Sequence, residues 1–323
     1  MVRLLSFVKL LQNESMKIYR RIGTWVMIGI LLVVTLLFGI LLKIDSPNDF
    51  EGKDWRTVLE EENKSYEKEL AKVEEEGNAR LYQDFLKESY AINQYRLDHN
   101  ISPEDSAWEF VHNAASLISL ITLFTIIVGA ISVAGEFSWG TVKLLLIRPV
   151  SRSKILLSKY IATFQFALTM LVILFLFSFL IGALLFGLGD VTKPYLAYEN
   201  GQVVEKNMFL HTLSLFGFQC IDLLMMATFA FMISAVFRSS SLAIGLAIFL
   251  MFTGVQLVSI LAAMDITWVK YLLFANTDLT PYFDGTPWIE GMTLSFSITM
   301  LVIYFVLFNV TSWLIFNKRD VSV

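Results

Sequence analysis

Charge is what this sequence has least of. Asp, Glu, Lys and Arg make up 17% of its 323 residues, whereas an average soluble domain carries about a quarter. A single cysteine, Cys220, excludes an intrachain disulfide. The three histidines, His99, His112 and His211, are scattered without ligand spacing, and with no H-E-x-x-H string no metal site is expected. No G-x-x-x-x-G-K-S/T loop is present to cradle phosphates, so the chain binds no ATP in that manner. No G-x-S-x-G nucleophile elbow occurs either. Without clustered catalytic groups the chain is expected not to be an enzyme and to hold no cofactor or metal of its own. No internal repeat is apparent, and no nucleic-acid partner is expected.

Apolar residues are abundant instead. They form 56% of the chain, 14% of it aromatic, and the mean hydropathy is +0.63. They fall in six unbroken runs, each near the 20 or so residues needed to cross about 30 Å of hydrocarbon at 1.5 Å per residue. The expected spans are 22–42, 114–134, 160–188, 212–236, 242–264 and 292–316; the third is the longest and would tilt or project. The first run is expected to stay in the mature chain. It is too long for a signal peptide, and Leu41-Leu42-Lys43-Ile44-Asp45 offers no small-residue cleavage site.

Loop charges orient these spans. The side holding both termini collects thirteen Lys and Arg against three acids, Glu14, Glu136 and Asp320. The other side is acidic, and most of its bases lie in one long loop that weighs little in the positive-inside rule. Both termini are therefore expected in the cytoplasm, with the chain in the plasma membrane of a bacterial cell. Residues 1–21 wind into a cationic amphipathic helix. Arg3, Ser6, Lys9, Asn13, Lys17 and Arg20 share one face, and Leu4, Phe7, Val8, Leu11, Ile18 and Tyr19 the other, with Leu10 as the exception. Such a helix would lie flat on the inner leaflet, its bases near anionic headgroups.

Two external segments carry further patterning. The insertion 43–113 is dense in Glu and Lys, with apolar residues at helical spacing between Trp55 and Arg96 and a break at Gly77-Asn78. It reads as a solvated helical cap, or as a docking surface for a substrate or partner. Segment 189–211 is an external loop. Segment 265–291 has Trp268, Tyr271, Phe274, Tyr282, Phe283 and Trp288 with Pro281 and Pro287, which suggests short helices near the outer headgroups, an aromatic belt or part of a gate. The turn 237–241 and tail 317–323 are cytoplasmic.

Inside the expected fourth span lies one ionisable residue, Asp222, one turn from Gln219. A charged carboxylate there costs about 2.5 to 3.5 kcal/mol on insertion scales, so it must face protein or water. It is either a polar element of a substrate path or subunit interface, or a protonated, hydrogen-bonded group that joins helices.

The cytoplasmic segment 135–159 is the most informative. Glu136, Gly140, Thr141 and Lys143 precede Leu144-Leu145-Leu146-Ile147, then Arg148, Pro149, Val150, Ser151, Arg152 and Lys154. Lys143–Ile147 reads as a short interfacial helix, Pro149 enforces a bend, and Ser151 can cap the next helix. A rigid element held there could seat in a groove of a soluble partner and transmit its movement into two membrane helices.

That ordered string resembles the coupling loop of type-2 ABC exporter permeases: Glu-x-x-x-Gly-Thr, a hydrophobic turn, Arg-Pro-Val-Ser-Arg and a lysine-containing entry to the next helix. The resemblance is closest over 135–159 and extends in topology to nearly the whole chain. By that resemblance Glu136, Gly140 and Thr141 match the family's Glu and Gly-Thr positions, and Arg148, Pro149, Ser151 and Arg152 its Pro-Ser-Arg-like positions. The large insertion is similar to the Gram-positive subset linked to antimicrobial-peptide resistance or small-ion export. The resemblance implies an exporter permease for a peptide, lipid-like molecule, drug or small ion. It would pair with a second copy or a homologous permease in the lipid bilayer and be driven by a dimer of separate ABC ATPase subunits that bind ATP and Mg. The competing readings are a membrane sensor or scaffold that binds a peptide through the insertion, and a secondary transporter working without an ATPase. The expected fold is thus an all-α polytopic membrane protein with six transmembrane helices, an N-terminal interfacial amphipathic helix and a helical extracellular insertion.

Overall fold

The computed structural model describes residues 2–45, 54–76, 80–103, 106–138, 150–189, 193–199, 201–237, 239–264, 266–284, 289 and 291–318. Among them, six helices are long and apolar enough to cross a membrane. The chain is an all-α polytopic membrane protein.

Helix α1 (Val2–Tyr19) is followed at once by the first span, α2 (Ile22–Asp45). The junction is held by Thr24, whose hydroxyl donates to the Ile18 carbonyl (2.6 Å), and by Trp25, whose indole N–H donates to the Tyr19 carbonyl (2.9 Å). These bonds satisfy carbonyls that the last turn of α1 would otherwise leave open. The insertion is a pair of packed helices, α3 (Trp55–Glu76) and α4 (Arg80–His99), with Leu59 and Leu86 buried. The expected break at Gly77-Asn78 falls between them, outside the described residues.

The second span is composite. Helix α5 (Ala107–Ala114), capped by the Ser106 hydroxyl, passes through a 3-10 turn at Ala115–Leu117 into α6 (Ile118–Ser138). The third span, α7 (Arg152–Leu185), is 34 residues long and begins at Arg152, where 160 was expected. At 1.5 Å per residue it outreaches the hydrocarbon, so its charged first turns project. Lys159, assigned to the loop by sequence, therefore lies within the helix.

Segment 189–211 is not simply a loop. Strands β1 (Pro194–Glu199) and β2 (Gln202–Asn207) form an antiparallel hairpin with Tyr195 opposite Lys206, and Gly201 in its turn has φ +84°. The Asn200-Gly201 dipeptide is the sequence signal for such a turn. The fourth span, α8 (Met208–Phe237), and the fifth, α9 (Ser240–Ala263), follow. Next come 3-10 turns at Thr267–Tyr271 and Leu273–Ala275 and the short helix α10 (Pro281–Asp284), and then the sixth span, α11 (Leu294–Lys318).

Spans two and four form the centre: 61% and 56% of the residues in their apolar stretches are buried, against 17% for spans one, five and six. Small residues permit their approach. Ala130 of α6, Ala230 of α8 and Ala243 and Ala247 of α9 sit in one cluster with Ile126, Met226 and Ile233. In lipid, where water supplies little drive for helix association, close contact of this kind supplies it. Ser234 of α8 adds a polar bridge: its hydroxyl donates to the Ala130 carbonyl (2.6 Å) and accepts from the Ala134 amide (2.9 Å), inserting into a helical turn of span two.

A second close approach joins α5 to the third span. A Cβ on Gly182 would lie 3.0 Å from both Cα and O of Ala107, and these are backbone atoms that cannot swing aside. Leucine at this position is therefore expected to force α5 off α7, at a cost of about 1–3 kcal/mol or more. The check is a lower melting midpoint, followed by helical circular dichroism in detergent, for Gly182→Leu, with Gly182→Ala falling between it and the parent.

Candidate functional site

The sequence-predicted site residues divide between the two ends of the bundle. At the end carrying the termini, four side chains close into a ring of alternating charge. Lys159 Nζ lies 2.9 Å from Glu14 Oε2 and 2.9 Å from Glu136 Oε1. Lys17 Nζ lies 2.8 Å from Glu14 Oε1 and 2.9 Å from the same Glu136 oxygen. Lys159, Glu14 and Glu136 are only 2%, 4% and 8% exposed, so each charge is compensated by its neighbours rather than by bulk water.

The elements explain the ring. Three residues apart on α1, Glu14 and Lys17 project to one side. Glu136 ends span two, and Lys159 sits two turns into span three. Apolar Ile18, Val128 and Ala162 wall the small space around them. Burial by itself would depress Lys17, but its hydrogen bonds to Glu14 and Glu136 outweigh that and hold its ammonium above the ordinary lysine value. For Arg21 burial prevails: the guanidinium is held below its ordinary value although Glu136 and Glu14 act to raise it.

This geometry adds to the reading of α1 as an interfacial amphipathic helix: Lys17 of its basic face is engaged within the bundle, while Lys9 and Arg20 are exposed. The face against the bundle runs Leu10, Glu14, Ile18, all buried, while Val8 is exposed. Leu10, the apparent exception on the polar face, packs against Ile155 beside Val150. Ser15 donates to Gln165 Oε1 and Tyr19 to Thr169 Oγ1, both at 2.7 Å, fixing α1 along α7. A polar stripe was legible; its partners were not, because they lie more than a hundred residues away.

Of the other expected loop residues, Gly140, Thr141, Lys143, Arg148 and Pro149 lie outside the described residues, as does the short helix expected at Lys143–Ile147. Ser151 does occupy the N-cap position of α7 with extended backbone, yet its hydroxyl makes no capping bond, contrary to expectation. Arg152 donates to the Asn317 carbonyl (3.2 Å), and Ser153 accepts from Trp313 Nε1 (2.9 Å) and Asn317 Nδ2 (3.1 Å). The far stem of the loop is thereby fastened to the end of span six. Lys154 is half-buried in the first turn of α7.

At the opposite end, Asp222 and Gln219 line a cavity of about 300 Å³ between spans two, four and five and the segment before span six. The Thr277 hydroxyl donates to the Asp222 carboxylate, and Asp278 is near enough to repel it. Segment 266–284, whose Trp268 and Tyr271 are exposed, is anchored to the bundle. Leu273 and Leu279 are buried among Met225, Leu301 and Phe308 of spans four and six, and Tyr304 donates to the Tyr271 carbonyl (2.8 Å). Asn276 locks its turn by donating to the Lys270 and Leu272 carbonyls, both at 2.8 Å. The ring of Phe274 fits where span five has only Gly254, whose Cβ would meet that ring at 2.5 Å.

The histidines are also less scattered than their sequence positions imply. His112 and His211 stack at 5.2 Å, with Tyr195 of β1 at 3.7 Å and Phe283 of α10 at 4.9 Å from His211. Lys206 sits 4.2 Å over the Phe283 ring. This column pins the hairpin to the bundle, and among the described residues no group of three ligating side chains could hold a metal.

Comparison with known proteins places the chain. It belongs to the DUF2705 family, described as a protein of unknown function, the match spanning residues 81–322. It is 44% identical over 320 residues to the uncharacterized protein YhcI of Bacillus subtilis (strain 168), covering 98% of this chain and 99% of that protein. It is 34% identical over 209 residues to the uncharacterized membrane protein YdbK of the same organism, covering 64% of this chain and 80% of that protein. Neither description names a transport activity, so the permease resemblance stands on the loop and topology alone.

Removing one member of the ring leaves a buried charge uncompensated, at about 3–5 kcal/mol. Lys159→Met is expected to lose that much stability in detergent. The pair Glu136→Gln with Lys159→Met, which keeps Glu14 and Lys17 balanced, should lose less than the sum of the single changes by about 0.5–3 kcal/mol. Lys17, with its raised native value, stabilises below the unfolded lysine value of about 10.4 and ceases to as pH climbs through the native one. An alkaline titration of the melting midpoint should show that loss in the parent and not in Lys17→Met.

Proposed function

We propose that this chain is the membrane-spanning permease subunit of an ATP-driven exporter, and that residues 139–151 are the surface on which a separate ATPase subunit acts. The observation that carries the reading is the bond between Glu136 and Lys159, which stand on the two stems of that segment. Clamped to each other and to α1 through Glu14 and Lys17, the cytoplasmic ends of spans two and three are held as one body. A push on the segment between them cannot dissipate as flexing of its roots.

The remaining parts follow from that placement. The excess of Lys and Arg at the terminal end supports a cytoplasmic location for it, where ATP is available. The chain has no phosphate-binding loop, so ATP and Mg belong to two soluble partners beneath a pair of permeases, either two copies of this chain or this chain and a homologue. Closure of those partners on ATP would shift an equilibrium between two arrangements of the spans, and it can do so only through contacts that differ between them. Span two is the member suited to carry the change. Its cytoplasmic end holds Glu136, the Ser234 hydroxyl bridges its backbone at Ala130 and Ala134, and its other end passes through the 3-10 turn at 115–117 beside the cavity.

The test is assembly in the native membrane. Affinity purification of the tagged chain is expected to recover a soluble ATPase whose turnover depends on it. Arg148→Ala with Lys154→Ala, which leaves the ring intact, should reduce recovery about tenfold or more. Deleting 55–99 should not. Recovery of no ATPase, or recovery indifferent to the loop substitutions, would sink the reading.

A further inference from the structure

The cavity beside Asp222 has an unbalanced charge. The cytoplasmic ring matches two carboxylates with two ammoniums, whereas among the described residues the cavity wall contains Asp222 and Asp278 and no Lys, Arg or His. Among the described residues Asp222 receives one hydrogen bond, from Thr277, although a carboxylate has room for about four. Gln219, half-buried one turn away, lines the same space and makes no hydrogen bond among the described residues. Asp278 accepts from the amide and hydroxyl of Thr280 (2.9 and 2.6 Å), which aligns it at the rim.

The rest of the lining sets the hydroxyls of Ser116, Ser119, Thr122 and Thr280 among apolar and aromatic side chains, including Phe218, Phe274 and Tyr282. It is also preorganised: Gly254 seats Phe274, and Asn276 braces the turn that carries Thr277 and Asp278. A preorganised, largely apolar space of this size with convergent polar groups is the usual form of a small-molecule site. Its charge selects the ligand. An anion would be repelled by both carboxylates, a neutral apolar molecule would leave Asp222 and Gln219 unmatched, and a hydrated inorganic ion would waste the aromatic walls. An organic cation meets all three requirements, because ring faces attract it as well as carboxylates do.

We propose that this cavity is a binding site for a lipophilic organic cation, an ammonium, guanidinium or phosphonium centre on an apolar body, with Asp222 as the principal counter-charge, Asp278 as the entry charge and Gln219 as a polar contact. As a cargo site it rests on the permease reading given above. As a ligand site it stands alone, and it is tested on the purified chain in lipid nanodiscs with no ATPase present.

The probe is radiolabelled tetraphenylphosphonium, compared with tetraphenylborate, which has nearly the same shape and the opposite charge. Saturable binding of the cation at a strength at least tenfold above the anion is expected. Asp222→Asn should weaken the cation about tenfold or more and erase the preference. Asp278→Lys, at an exposed position outside the spans, should weaken it too without perturbing the fold, which keeps the test decisive if the Asp222 variant fails to assemble. Equal binding of both probes, or affinity unchanged in Asp278→Lys and in a folded Asp222→Asn, overturns the proposal, as does displacement by sodium or calcium at concentrations matching that of the bound probe. A chain that binds the cation but recovers no ATPase would keep the site and lose the exporter, and the converse would keep the exporter and lose the site.

Discussion

Two carboxylates and two ammoniums cannot be taken out of water separately. Each lone ion would cost several kcal/mol in the protein interior, and the ring of Glu14, Lys17, Glu136 and Lys159 forms because together the four are neutral and hydrogen-bonded at 2.8–2.9 Å. The constraint is collective. Helix α1 cannot leave without taking Glu14 from Lys159, and the end of span two cannot shift alone without taking Glu136 from both Lys17 and Lys159. Much of the arrangement at this end follows. The alignment of α1 along α7, also held by Ser15 and Tyr19, the burial of Leu10 against Ile155, and the approach of Glu136 to Lys159 all accompany the closed ring.

Span two then links what the ring fixes to what the other end displays. It is the most enclosed span, and its neighbours approach through small residues at Ala130, Ala230 and Ala243. Close-packed interfaces of this kind shift between discrete arrangements rather than deform smoothly. The places where such a span can yield are where its own hydrogen bonding is already shared, at the Ser234 bridge and at the 3-10 turn of 115–117. One lies a turn from the ring and the other at the cavity.

The six spans were legible because a membrane span is written locally, in twenty or so apolar residues that need no partner to be recognised. The paired helices of the insertion were legible for a similar reason, in apolar spacing and in the Gly77-Asn78 break. Glu136 was singled out through its motif, but its partner Glu14 was counted only as one of three acids on a basic side, and Lys159 was placed in a loop that in fact ends at Arg152. Pairing across more than a hundred residues leaves no periodic trace. The stacking of His112 on His211 and the placement of Thr277 against Asp222 were hidden likewise. The hairpin is a different case: Asn200-Gly201 between alternating residues carried the signal, and the short run Pro194–Asn207 was passed over as loop between two far stronger hydrophobic stretches.

Placed side by side, the two ends show why buried acids in one chain need not have one role. Glu136 is satisfied within the protein, and what the ring gives is fixed geometry. Asp222 is half-buried and, among the described residues, has one hydroxyl partner and no cation near it, and so keeps an electrostatic demand that they leave open. A carboxylate needed only to join helices would be expected to draw more donors from the surrounding spans. The nearest hydroxyls of span two do not serve it: Ser119 donates to the Ser116 carbonyl and Thr122 to that of Ile118. Spending those hydroxyls on their own helix leaves the carboxylate facing the cavity, so the demand is directed toward whatever enters that space rather than toward the protein itself.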